Sequence, residues 1–344
     1  MKEKKGFLTL EILSQYKSEL YGITILWIML FHSYLVKVYY FKDAGAPLDY
    51  IHTIINHGNM GCDMFLFLSG IFCFYSFAEK QRILQYEKKR YFRLVIPVLF
   101  INGFYWLTVL LMDGDLGKFF LRVTLTDFWV TGDQQIWFVS LIWMCYLLYP
   151  LIFYILYDKN KNLRVGNLCL IIVLVTGMIL LLKEYSPELY ARWEIAINRI
   201  PVFILGCGLG RAVRDRRRLK SVFVLAAFLI ILASLWMLHD FEIRGMIKRY
   251  FYICGIAYVI FFAAVLKKIN LKPFNKILAF FGDMSLQLYL AHILLRRLYA
   301  ESIFYVPGSK INYFFLLAIA TVIAYIAYRL EQLLRDLIQE KRNK

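Results

Sequence analysis

Two histidines in apolar surroundings are the residues best suited to chemistry in this sequence. His32 is the one residue of "ITILWIMLFHSYLV" (23–36) that titrates near neutral pH, and His292 sits in "GDMSLQLYLAHILL" (282–295). An imidazole can take or give a proton under physiological conditions. In hydrocarbon it is costly, so it is expected to face a bundle interior or a wet cavity. Arg90 and Arg93 of "KKRYFR" stand three residues apart, which puts them on one helix face. Two neighbouring guanidiniums suit phosphate groups bidentately, and Lys88 and Lys89 directly precede them. Asp63 in "GNMGCDMFLFLSG", Arg199 in "NRIPVFILGCG", and Gln134, Gln135 and Trp137 complete the polar and amphipathic residues at the ends of apolar runs. Each has a plainer reading. A lone histidine can tie helices together, Arg90 and Arg93 can be interfacial anchors, and Asp63 can cap a helix. Tyr289 can be packing, and the glycines of "FILGCGLG" can let helices approach closely. Two deep histidines together with a paired-arginine mouth exceed what packing needs.

These residues must be positioned by membrane helices. The chain has 344 residues, 60% of them hydrophobic, with mean hydropathy +0.58; a soluble domain is nearer half apolar. Apolar runs of membrane-spanning length predict an all-α, polytopic bundle of about ten spans. They fall near 20–41, 60–78, 91–112, 135–157, 165–183, 198–214, 220–238, 249–266, 278–298 and 311–334. The first run is long and lacks a small-residue cleavage site, so it reads as an uncleaved span and not a signal peptide. The whole chain reads as one integral-membrane domain, with 1–19 as an N-terminal segment and 335–344 as a tail.

Charge sets the expected orientation. With the N-terminus cytoplasmic, the inner segments collect about 28 of the 41 Lys and Arg residues, whereas the 24 acidic residues divide almost evenly. Multi-pass insertion in the cell membrane with both termini cytoplasmic follows. The net charge of +17 then reflects orientation, not nucleic-acid binding, and the dense clusters "KKRYFR" and "RDRRR" are free to meet acidic lipids or an anionic cytosolic ligand. On this topology His32 lies about 12 residues, roughly 18 Å, into its span. His292 reaches a similar depth from the same side. Six cysteines without paired spacing indicate neither a disulfide framework nor a zinc site, and no metal is expected.

The order "YGITILWIMLFH", "GCDMFLFLSGIF", "KKRYFRLVIPVL", "IWFVSLIWMCYLLYP", "RIPVFILGCGLG" and "GDMSLQLYLAH" resembles the acyltransferase 3 family of membrane acyltransferases over nearly the whole chain. The resemblance implies transfer of an acyl group, usually acetyl, from cytosolic acyl-coenzyme A to a hydroxyl of an extracytoplasmic or lipid-linked glycan. It puts the first-span histidine on His32 and the Arg-x-x-Arg motif on Arg90 and Arg93. The "VD-FF-LSG" segment falls on Asp63 and Ser69, and the ninth-span pattern on Ser285, Tyr289 and His292. His32, Asp63 and His292 become the catalytic candidates, and Arg90, Arg93, Lys88 and Lys89 the acyl-coenzyme A binders. Ser69, Trp137, Arg199, Ser285 and Tyr289 become candidates for the acceptor site or the oxyanion. One position departs from the pattern: the family's arginine eleven residues before the histidine is Tyr21 here. Tyr21 shares a helix face with His32, and Lys17, one turn away, can supply the charge. Two rival readings remain open at this stage: a transporter or ligand-binding membrane protein without acyl transfer, because deep histidines and carboxylates also serve proton relays, and a structural or lipid-binding subunit.

Overall fold

The apolar runs become helices, and their polar or glycine-containing ends become the breaks. A computed structural model of the chain describes residues 8–32, 48–239, 254–300, 302–303 and 311–343. Among these the regular structure is helical, with two isolated β-bridges, Thr9 to Arg218 and Tyr157 to Leu163. The main helices are α1 (Lys17–His32), α2 (Gly61–Phe77), α3 (Ile83–Asp113), α4 (Trp137–Leu156), α5 (Val165–Tyr185), α6 (Ile200–Arg214), α7 (Ser221–His239), α8 (Cys254–Ile269), α9 (Lys272–Asp283), α10 (Ser285–Ala300) and α11 (Ile311–Asn343). Shorter helices at Leu48–Asn56, Leu116–Val123, Asp127–Thr131 and Pro187–Ile197 fill the connections.

Each expected span overlaps helical residues, although 33–41 of the first and 249–253 of the eighth lie outside the described residues. By length and composition, six helical stretches among the described residues can each cross a membrane: Ile51–Phe77, Ile83–Asp113, Trp137–Leu156, Val165–Tyr185, Pro187–Arg214 and Phe314–Leu337. The expected ninth span, 278–298, is not one rod. It is α9 and α10, which meet at a 66° bend around Met284. No proline marks the break. The polar residues Asp283 and Ser285 flank it, and Asp283 accepts from Ser18 Oγ of α1.

Helix α2 is the axis of the bundle: all its residues except Phe72, Tyr75 and Ser76 are buried. Hydrocarbon gives little hydrophobic drive between helices, so close approach through small residues carries the packing. Two seams show this. Gly70 of α2 and Gly206 of α6 each abut the other helix's backbone, at Phe203 and Phe67, and a Cβ at either would collide. Gly22 of α1 and Gly282 of α9 repeat the arrangement against Leu278 and Ser18. The second seam fixes the short arm α9 against the start of α1 and so sets where α10 begins. Helix α5 stands at the periphery, with no buried residue and with Leu170, Leu174 and Met178 exposed, the surface expected beside lipid.

Candidate active site

With α9 held against α1 at the second seam, α1 and α10 meet at their histidines. His32 ends the described part of α1, and His292 lies seven residues beyond the start of α10. His32 Nδ1 and His292 Nε2 are 2.8 Å apart, with the rings nearly parallel at 26°. His292 Nδ1 lies 2.9 Å from the Leu288 carbonyl oxygen. A carbonyl only accepts, so His292 Nδ1 carries a proton and donates it. In neutral His292, Nε2 is then the acceptor, and His32 Nδ1–H donates to it. The proton order is therefore fixed along the chain from Leu288 to His292 to His32, and His32 Nε2 keeps its lone pair. Among the described residues no hydrogen bond occupies that nitrogen.

Two adjoining cavities lead toward this pair. The outer one, about 270 Å³, is polar and includes Lys17, Arg93, Asp283, Gln287, Glu331 and Arg335 in its wall. The inner one, about 100 Å³, is bounded by Tyr21, Phe65, Ser69, Arg90, Tyr146 and Tyr289. Lys17, Tyr21, Arg93, Ser285 and Leu286 line both. At the inner end Tyr289 packs edge-on against His292, with ring centroids 5.6 Å apart, and Phe138 closes the other side of Tyr289 at 5.7 Å. Tyr21 stacks on Phe65 at 5.2 Å. The Ser69 hydroxyl faces the phenols of both Tyr21 and Tyr146.

The two arginines of the Arg-x-x-Arg motif separate in role. Arg90 is buried. Its Nη2 donates to the Phe72 carbonyl at 3.3 Å and to Ser76 Oγ at 2.5 Å, and its guanidinium lies over the Tyr146 ring at 4.6 Å. It ties α3 to the end of α2 while its flank borders the inner cavity. Arg93 is exposed and lines both cavities. Lys88 and Lys89 are exposed and line neither. Lys17, one turn before Tyr21, holds its ammonium 4.5 Å from the Phe72 ring centroid. It stands just before the first apolar run, where burial and the nearby Arg93 and Arg90 charges lower its pKa to about 8.

Asp63, grouped by sequence with the histidines, is engaged elsewhere. Arg199 Nε lies 3.2 Å from Asp63 Oδ1, and both side chains are almost wholly buried. Arg199 also donates to the Ile195 carbonyl and lies over the Trp137 ring at 5.3 Å. Trp137 therefore belongs to this ion pair, while its neighbour Phe138 belongs to the histidine side. Gln134 is exposed, and the Gln135 backbone N–H donates to Asp133.

Sequence reading overlooked three members of the site. Arg296, four residues after His292 and so on its helix face, acts electrostatically on both imidazoles. Glu331 and Arg335 of α11 were assigned to the end of the last span and the tail. Glu331 is buried, accepts from Gln287 Nε2 at 2.6 Å and is ion-paired with Arg335. The i, i+4 spacing of Glu331 and Arg335 was the available signal. Among the described residues no cluster of side chains suits a metal ion.

Fold and site together define a helical membrane protein in which two adjoining cavities run from a cationic mouth to Tyr289, whose ring packs against one member of a hydrogen-bonded histidine pair. The family model for the acyltransferase domain of the acyltransferase 3 family matches residues 21–329, and the chain belongs to that family. No curated protein matches the chain, and no solved structure does. Lys17 and Arg335 lie just outside the matched region.

Proposed function

We propose that the protein is a cell-membrane O-acyltransferase that takes an acyl group, acetyl in the first instance, from cytosolic acyl-coenzyme A and gives it to a hydroxyl of an extracytoplasmic or lipid-linked glycan. The observation that carries this reading is the hydrogen-bond chain ending in His32 Nε2 as an available base. The cationic mouth and the adjoining cavities support it further, since they run as far as Tyr289, which packs against His292. Both termini, on this reading, face the cytosol, as does the mouth.

In the reaction the acceptor hydroxyl gives its proton to His32 Nε2 as its oxygen attacks the thioester carbonyl carbon. The tetrahedral oxyanion collapses, the C–S bond breaks, and the thiolate leaves as coenzyme A, taking the proton that His32 received. His292 fixes the tautomer and the ring angle of His32. The Tyr289 phenol, the Ser69 hydroxyl and Arg296 are the candidate partners of the oxyanion, and Ser285 borders the path of the donor. Asp63, sealed against Arg199, supports the wall of the site and takes no proton in this scheme. The test is transfer of radiolabelled acetyl from acetyl-coenzyme A by the purified protein in lipid. His32→Ala is expected to lose on the order of 10²- to 10⁴-fold in rate. Full activity in a folded His32→Ala protein removes the base from the mechanism, and uptake of a solute without any transfer or coenzyme A binding favours a carrier.

A further inference from the structure

The outer cavity has an electrostatic imbalance that points to its occupant. Lys17 and Arg93 face it from α1 and α3, near enough that the Arg93 charge weighs on the Lys17 ammonium. Among the described residues neither forms a salt bridge. The two acids in the same wall are already engaged. Asp283 accepts from Ser18 Oγ at 2.5 Å, and Glu331 is held by Gln287 on one oxygen and Arg335 on the other. A neutral hydroxyl leaves the Asp283 charge in place, and that charge acts on Lys17, so the wall sets the three cations Lys17, Arg93 and Arg335 against two carboxylates; the net positive charge that remains is relieved by an anion between the cations. Arg335 reaches the cavity from a third helix. Its side chain is about half exposed (52%), and a guanidinium has five donors, so donors remain after it bonds to Glu331.

Shape narrows the ligand further. The outer cavity is the wider of the two and presents amide and phenol groups, Gln287 and Tyr328 among them, that can bond or stack with a heteroaromatic base. The inner cavity is smaller, and beyond the shared cations Lys17 and Arg93 and the buried Arg90 its wall is aromatic and aliphatic, with Ser69 and Ser285 the remaining polar groups, a surface that takes an uncharged arm. Resting on the acyltransferase reading above, we propose that the outer cavity seats the phosphorylated nucleotide end of acyl-coenzyme A, and that Arg335, held in place by Glu331, completes its cation set with Lys17 and Arg93. Arg335 contacts the phosphates, and Glu331 is a positioning residue. This part of the donor site is built on the last helix, just beyond the segment that the family model covers.

The test compares two donors in the purified, lipid-embedded protein: acetyl-coenzyme A and acetyl-pantetheine, which has the same thioester arm and no nucleotide. R335Q is expected to raise KM and Kd for the coenzyme A donor about tenfold, the worth of a lost charge-assisted contact, while KM and kcat for acetyl-pantetheine stay as in wild type. E331Q is expected to shift the same values in the same direction by less. Unchanged pantetheine turnover in either variant also reports intact folding. If wild type binds coenzyme A and R335Q binds it equally well, the seat is elsewhere and the acyltransferase reading stands. If R335Q loses both donors alike, Arg335 only holds α11 in place and the inference fails. If wild type binds no coenzyme A at all, the acyltransferase reading falls, and this inference with it.

Discussion

Two polar clusters lie within this bundle, and they solve the cost of burial in opposite ways. Asp63 and Arg199 are closed against each other, with relative side-chain exposures of 0% and 5%, and an indole covers the guanidinium. The Lys17–Arg93–Arg335 mouth is open, with more cation than acid available to it. A sealed pair holds helices in register, whereas an unbalanced set awaits a ligand. The sharpest way to break this contrast is to open the sealed pair. Arg199→Met is expected to cost about 3–5 kcal/mol of stability, because it strands a buried carboxylate. Adding Asp63→Asn should recover most of that loss, measured as thermal unfolding in detergent. A single variant that stays stable but loses acyl transfer would instead move Asp63 and Arg199 into the reaction site.

The histidine pair lies between these extremes, since His292 is satisfied on both nitrogens and His32 on one. His292→Phe removes the acceptor that fixes the His32 tautomer while keeping an aromatic ring in its place. Misplacing a catalytic group costs on the order of 100-fold. The expected result is a kcat lower by about that factor with donor KM unchanged. Equal losses in kcat for His292→Phe and His32→Ala would show that the two imidazoles act as one unit.

The difference between the clusters also marks what the sequence could reveal. Apolar runs are composition, so helices α1 to α8 and α11 follow from local hydropathy. The bend at Met284 does not, because "GDMS" contains no proline and the apolar pattern runs across it. What decides it is tertiary: Gly282 lies against the Ser18 backbone, which fixes α9 before α10 can continue the line. Within the site, His32, Arg90, Arg93 and Tyr289 were legible as residue types in a recognisable order. The partnership of Asp63 with Arg199 was not, since nothing local links the start of α2 to the start of α6. Nor was the division between Arg90 and Arg93, because spacing on one face cannot tell which guanidinium meets the α2 carbonyls and which meets the cavity.

That division gives the next test. Arg90→Met removes the guanidinium that donates to the Phe72 carbonyl and the Ser76 hydroxyl and should lower stability by about 1–3 kcal/mol. Arg93→Met should leave unfolding nearly unchanged and weaken coenzyme A binding about tenfold. Binding isotherms and melting curves on both variants decide the matter, and reversed outcomes would exchange the two roles.

The smallest expected effect concerns Lys17, one turn before Tyr21. Its ammonium titrates at about 8, lowered first by burial and then by Arg93 and Arg90, with Asp283 opposing; Glu331 and Arg335 line the same cavity. The amine is cationic below that value and neutral above it, so the mouth loses a charge as pH rises from 7 to 9. Bound phosphates favour the cation and raise its pKa, so above pH 8 donor binding takes up a proton and affinity falls with pH. The fall should be roughly fivefold over that interval, within the tenfold per unit limit for one proton. It should vanish in Lys17→Met, whose affinity at pH 7 should match that of wild type near pH 9. An arginine at position 17 remains charged throughout, so Lys17→Arg should hold donor affinity level to pH 9. A pH dependence that persists in Lys17→Arg would assign the titration to another group in the mouth and leave Lys17 as an aromatic-packed stem beside Phe72.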